Sequence, residues 1–102
     1  MESTEPIHPE LPESAVPVRR VGYHLGRIPC CEVLQDDNGQ NVLVLNEAGA
    51  LIWRLSDGNR TVEEMIQMIS ESFAEPRESI SRDVNRALDT FRLYDLMDIY
   101  GV

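Results

Sequence analysis

Cys31-Glu32-Val33-Leu34-Gln35-Asp36-Asp37-Asn38-Gly39-Gln40-Asn41-Val42-Leu43-Val44-Leu45 is the stretch whose reading decides the fold. Two strand-like runs, 31–35 and 41–45, flank the polar segment 36–40. That segment contains Asn38-Gly39, and Asn-Gly is the strongest short-range hairpin signal because both residues tolerate positive φ. Asp36 and Asp37 beside it read as turn residues rather than as a catalytic carboxylate pair. In the second arm, Val42 to Leu45 are apolar at four consecutive positions, where a half-exposed strand would alternate. Such a run is either a strand sealed by other elements or an edge strand kept ready for another chain. Periodicity alone favours the first.

Upstream of the hairpin, Val21, Tyr23 and Leu25 alternate with Gly22 and His24, the period-two pattern of a half-buried strand. Before that, residues 1–17 carry Pro6, Pro9, Pro12 and Pro17 among acidic and small residues. A segment of this kind cannot bury enough apolar area to offset chain entropy. The expectation is a disordered acidic tail over 1–17, followed by one domain over 18–102.

Downstream, three helices follow in close succession. Asn46 is a suitable N-cap, and Ala48, Leu51, Ile52 and Leu55 recur at the spacing of one helical face. Trp53 falls off this stripe and reads as core more readily than as an interface anchor. Asp57-Gly58 stops the helix, with glycine supplying a left-handed residue. Thr61 and Glu64 form a capping box that opens the second helix, whose stripe is Val62, Met65, Ile66, Ile69 and Phe73. Pro76 suits the first turn of a third helix running to about Asp95, with Ile80, Val84, Ala87, Leu88 and Phe91 facing inward. Leu96-Met97-Asp98-Ile99-Tyr100 is too apolar for a free tail and reads as a last turn or short strand. The order strand, hairpin, three helices gives an α+β domain, winged helix-turn-helix-like, with a small three-stranded antiparallel sheet packed on three helices.

Charge narrows the function. The chain has 102 residues, 18 acidic and 9 basic, for a formal net charge of −9. Removing the four acids of the first 17 positions (Glu2, Glu5, Glu10 and Glu13) leaves the body acidic as well. Duplex binding rests on cations that neutralise phosphates, so neither nucleic acid nor an anionic membrane surface is an expected partner. Four arginines on or beside the third helix, Arg77, Arg82, Arg86 and Arg92, are the only feature that keeps a winged-helix DNA-binding alternative open. A protein-docking scaffold is the other alternative.

Cys30 and Cys31 are adjacent. On a strand they would face opposite ways, which disfavours both a disulfide and a chelating pair and implies reduced thiols. His8 and His24 are isolated, and no metal-ligand spacing, glycine-rich phosphate loop or nucleophile elbow occurs. The sequence therefore implies no metal, no cofactor and no catalytic residue. No signal-like segment and no apolar run of about 18 residues is present, so the expected location is the cytoplasm.

Two stretches taken together are more specific than any of their parts: Leu45-Asn46-Glu47-Ala48-Gly49-Ala50-Leu51-Ile52-Trp53, and shortly after it Leu55-Ser56-Asp57-Gly58-Asn59-Arg60-Thr61-Val62-Glu63-Glu64-Met65. A strand ending in Leu-Asn, a helix with a small residue before Ile-Trp, and Asp-Gly with Thr-Val opening the next helix resemble the signature of the PqqD family. Asp83-Val84 with Leu88 is similar to that family's third-helix pattern. The acidic proline tail, Pro29-Cys30-Cys31 and the enlarged turn 36–40 depart from it. The resemblance implies a non-catalytic peptide chaperone that binds the leader of a ribosomally synthesised precursor peptide and presents it to a modifying enzyme, most commonly a radical-SAM enzyme. It further implies that the leader adds as an antiparallel strand in a groove walled by the third helix. On this sequence the implied peptide-binding positions are Asn41, Val42, Leu43, Val44 and Leu45, facing Arg82, Asp83, Arg86, Ala87 and Thr90. With that implication the edge-strand reading of 42–45 overtakes the sealed one. An open edge leaves both a monomer and an edge-paired dimer available.

Overall fold

A computed structural model of the chain describes residues 11–101. Its elements are β1 (Val16–Arg19), β2 (Tyr23–Ile28), β3 (Cys31–Asp36), β4 (Asn41–Leu45), α1 (Glu47–Leu55), α2 (Val62–Phe73), α3 (Arg77–Leu93) and β5 (Met97–Tyr100). The strands form an antiparallel sheet in the order β2-β3-β4 and a separate two-stranded ribbon, β1-β5. This is the expected α+β architecture with one addition, the ribbon.

The hairpin forms as its turn chemistry demands. Asp36 Oδ1 accepts from the backbone N–H groups of Asn38 and Gln40, both at 2.9 Å, and Gly39 takes φ 79°. Within the ladder the register slips: Leu34 faces Leu43, but Gln35 faces Asn41, leaving Val42 as the extra residue of a β-bulge. The bulge breaks the two-residue alternation, so Val42 and Leu43 both pack against the core. Leu45 is buried and Val44 is 59% exposed. The apolar run of 42–45 therefore arises from this break in alternation, not from full cover of both faces.

The strand upstream of the hairpin, β2, begins later than its alternation suggests. Val21 is 95% exposed and Gly22 takes φ 99°, so these two residues turn the chain and β2 starts at Tyr23.

The tail expected over 1–17 falls partly outside the described residues, at 1–10. From Leu11 onward the chain is built into the fold, which corrects that expectation. Leu11 and Ala15 are buried. The C=O groups of Ala15 and Glu13 accept from the N–H groups of Val62 and Glu63, at 2.8 and 3.0 Å. Those are donors of the first turn of α2 that no helical carbonyl can satisfy. Backbone pairing to a distant helix end orders this segment, and proline-rich composition does not reveal it. Pro17 sits in β1, an edge strand where its missing N–H is tolerated.

The helices start as the capping residues require. Asn46 Oδ1 accepts from Gly49 N–H at 2.7 Å. In the capping box Glu64 N–H donates to Thr61 Oγ1 at 3.1 Å while Glu64 Oε1 accepts from Thr61 N–H at 2.8 Å. At the other end of α1 the Arg19 guanidinium donates to the C=O groups of Trp53 and Arg54, at 3.1 and 2.6 Å, and Trp53 C=O also accepts from the N–H of the capping residue Ser56 at 3.2 Å. Pro76 precedes α3 as its N-cap rather than lying inside it, and α3 ends at Leu93, slightly short of the expected end near Asp95.

The core lies where α1, α2 and α3 meet the inner face of the sheet, through Leu34, Ile52, Ile66, Val84 and Leu88. Trp53 is 3% exposed and meets Phe91 edge-on, with centroids 5.3 Å apart and planes at 70°. It is a core residue. Among the described residues no helix is long and apolar enough to cross a membrane.

Candidate functional site

β4 is the last strand of the three-stranded sheet, so one of its edges pairs with no other strand among the described residues. The chain leaves β4 directly into α1, and α1 packs on α3. A groove of about 250 Å³ lies between β4 and α3, with α1 as its floor.

The strand side of the groove is Leu43, Val44 and Leu45, and the α3 side is Asp83, Arg86, Ala87 and Thr90. The structure thus brings these sequence-selected positions from two distant segments onto one surface. It places the other three elsewhere. Asn41 lies before the bulge, where its Oδ1 accepts from Gln35 Nε2 at 3.0 Å. Val42 turns against the core. Arg82, one turn before Arg86, is exposed and stands outside the lining.

The floor was not foreseen from the sequence. Asn46, Ala48, Gly49 and Ile52 of the β4–α1 junction line the groove, with Phe91 from α3. The signal that could have found them is the run Ala48-Gly49-Ala50, which keeps side-chain volume low where the helix passes beneath the strand edge. A Cβ on Gly49 would stand 3.1 Å from Asn46 Oδ1, the atom that caps the helix, so glycine here protects both the cap and the space.

Chemically the groove has an apolar interior, Leu43, Leu45, Ile52, Ala87 and Phe91, and one charge of each sign, Asp83 and Arg86. Neither charge is held in an ion pair with another described residue. Thr90 Oγ1 donates to Arg86 C=O at 3.0 Å, so its hydroxyl hydrogen is taken up within α3. An exposed strand edge beside an apolar trough offers unpaired backbone groups for a ladder and pockets for every second side chain of an extended peptide. Among the described residues no group of three or more His, Cys, Asp or Glu side chains is placed to hold a metal.

Comparison with known proteins bears on this geometry. A search of curated proteins finds no match. Among solved structures, that of TbiB1 in complex with the TbiA(beta) leader peptide superposes with a TM-score of 0.63 at 21% identity, covering 79% of this chain and 94% of that one. At this identity the likeness supports the fold. The model of the family described as Coenzyme PQQ synthesis protein D (PqqD) matches residues 31–96, which run from the start of β3 through the whole of α3 and take in every lining residue of the groove. With more than half of the chain matched, including the strand edge and the helix that faces it, this protein belongs to the PqqD family.

Proposed function

We propose that this chain recognises the leader of a ribosomally synthesised precursor peptide, taking it up as an added antiparallel strand on β4 and presenting it to a modifying enzyme, a radical-SAM enzyme being the favoured companion. The observation that carries this reading is the unpaired edge of β4 standing across an apolar groove from α3. Membership of the PqqD family supports it, as does the fold shared with TbiB1, a protein solved with a leader peptide bound.

In this reading the backbone of β4 supplies affinity without regard to sequence, and the groove supplies selectivity. Leader residues two apart, about 7 Å along an extended chain, point to the same side, so alternate side chains enter the groove while those between face solvent. Apolar side chains suit Ile52, Ala87 and Phe91. An acidic leader residue beside Arg86 would adjust register more than strength, since an exposed ion pair contributes about 0–1 kcal/mol. A micromolar dissociation constant, about 8 kcal/mol, is the expected scale for one short strand with a few anchors.

The test is a two-dimensional amide NMR titration with the leader of the precursor peptide encoded beside this chain. Saturable shifts concentrated on β4, the start of α1 and the 83–90 face of α3 are expected. An unchanged spectrum at millimolar leader would overturn the reading.

A further inference from the structure

The sequence pattern sets Cys30 and Cys31 on opposite faces of a strand, but only Cys31 belongs to one. Cys30 lies in the turn between β2 and β3, and Cys31 opens β3 opposite Ile28. The turn brings the two side chains together, with their Sγ atoms 2.7 Å apart in hydrogen-bonding contact. Both thiols are free; Cys30 is exposed and Cys31 partly so. The Cys31 thiol is pushed above the usual thiol range, first by its hydrogen bond to Cys30 and then by partial desolvation, and Cys30 is the more exposed of the two.

We propose that Cys30 and Cys31 form a reversible dithiol site that low-molecular-weight disulfides oxidise to a disulfide between neighbouring residues. The Cys30 thiolate attacks one sulfur of the small disulfide, whose S–S bond breaks and releases one thiolate, which takes up the proton Cys30 gave to solvent. Cys31, losing its own proton, then attacks Cys30 Sγ in the mixed disulfide and expels the second small thiol. Two protein thiols become one S–S bond, and one small disulfide becomes two thiols. The protein is oxidised and the reagent reduced by two electrons.

Geometry makes the product labile. Neighbouring Cα atoms are about 3.8 Å apart across a trans peptide, below the roughly 4.4–6.8 Å that disulfides usually span. A bond closed over so short a span is strained, and strained, exposed disulfides are readily reduced. The site therefore suits a reversible mark rather than a structural staple. It is independent of the leader-binding reading.

The test treats the reduced full chain with oxidised glutathione, blocks remaining thiols with N-ethylmaleimide and weighs the intact protein. The expected product is a monomer lighter by two hydrogen atoms, carrying neither glutathione nor maleimide, which takes up two maleimides after treatment with dithiothreitol. Cys31→Ser is expected to stop at one retained glutathione. Two glutathione adducts on the parent, a covalent dimer, or two maleimides without prior reduction would each overturn the proposal.

Discussion

The backbone N–H of Leu11 donates to Asn85 Oδ1 at 2.8 Å, across 74 residues of sequence. The same side-chain amide donates from Nδ2 to Ser81 C=O, also at 2.8 Å, so its orientation is fixed from both ends. Asn85 is 9% exposed and holds the N-terminal segment to α3 away from the groove lining. Asn85→Ala leaves a buried donor unpaired and is expected to cost about 1–3 kcal/mol in urea unfolding. Leader affinity of the folded Asn85→Ala protein should match the parent.

Ala87 faces the groove from the middle of α3 and is only partly buried. Ala87→Phe puts a ring into open space without displacing a core side chain. The fold should survive, as judged by amide spectra, while leader affinity falls at least about tenfold, or 1.4 kcal/mol. Unchanged affinity in a folded Ala87→Phe protein would place the leader elsewhere.

Acid stability should report on Asp57. Its carboxyl is held below the usual carboxylate range, chiefly because Oδ1 accepts from Asn59 N–H at 3.0 Å, and also because Arg60 lies 2.7 Å from Oδ2; burial opposes both. A depressed folded value means that the stabilisation is present above the unfolded carboxyl value of about 3.9 and is lost as pH falls through the folded value beneath it. Asp57→Asn should thus be less stable than the parent at neutral pH, by no more than about 1 kcal/mol for so accessible a pair. The two unfolding curves should converge below about pH 4.

Ala74 closes α2 in the left-handed region, φ 53° and ψ 42°, where a Cβ is unfavourable. Ala74→Gly removes that strain at an exposed position and is expected to raise stability by about 0.5–1 kcal/mol, the unfolded chain's added freedom offsetting part of the gain. A lowered melting temperature would contradict this.

Legibility in the sequence followed the range of the interaction. The hairpin, both side-chain helix caps and the inward stripes of α2 and α3 rest on residues within about four positions of one another, and each could be read directly, whereas α1 buries Gly49, Ala50, Ile52 and Trp53 instead of the expected Ala48, Leu51, Ile52 and Leu55. Val42 could not, since a bulge is set by how two strands settle against each other and leaves no mark on the strand that carries it. Leu11 and Ala15 were hidden because their partners, Asn85 and Val62, are remote and the prolines around them argue for disorder. In the groove, Leu43 and Ala87 were accessible through the family pattern. Gly49 and Ile52 were not, because a helix floor looks like ordinary core until its neighbours are known.

The ribbon of β1 and β5 sets Val16 opposite Tyr100 and Arg19 opposite Met97, so the first and last strands run side by side in opposite senses. Chain entering the ribbon at Val16 and chain leaving it at Tyr100 therefore pass side by side. That arrangement governs the response to tension: once the anchors of Leu11 and Ala15 give way, pulling on the two ends would part the ribbon one rung at a time, like a zip, instead of loading all its rungs together.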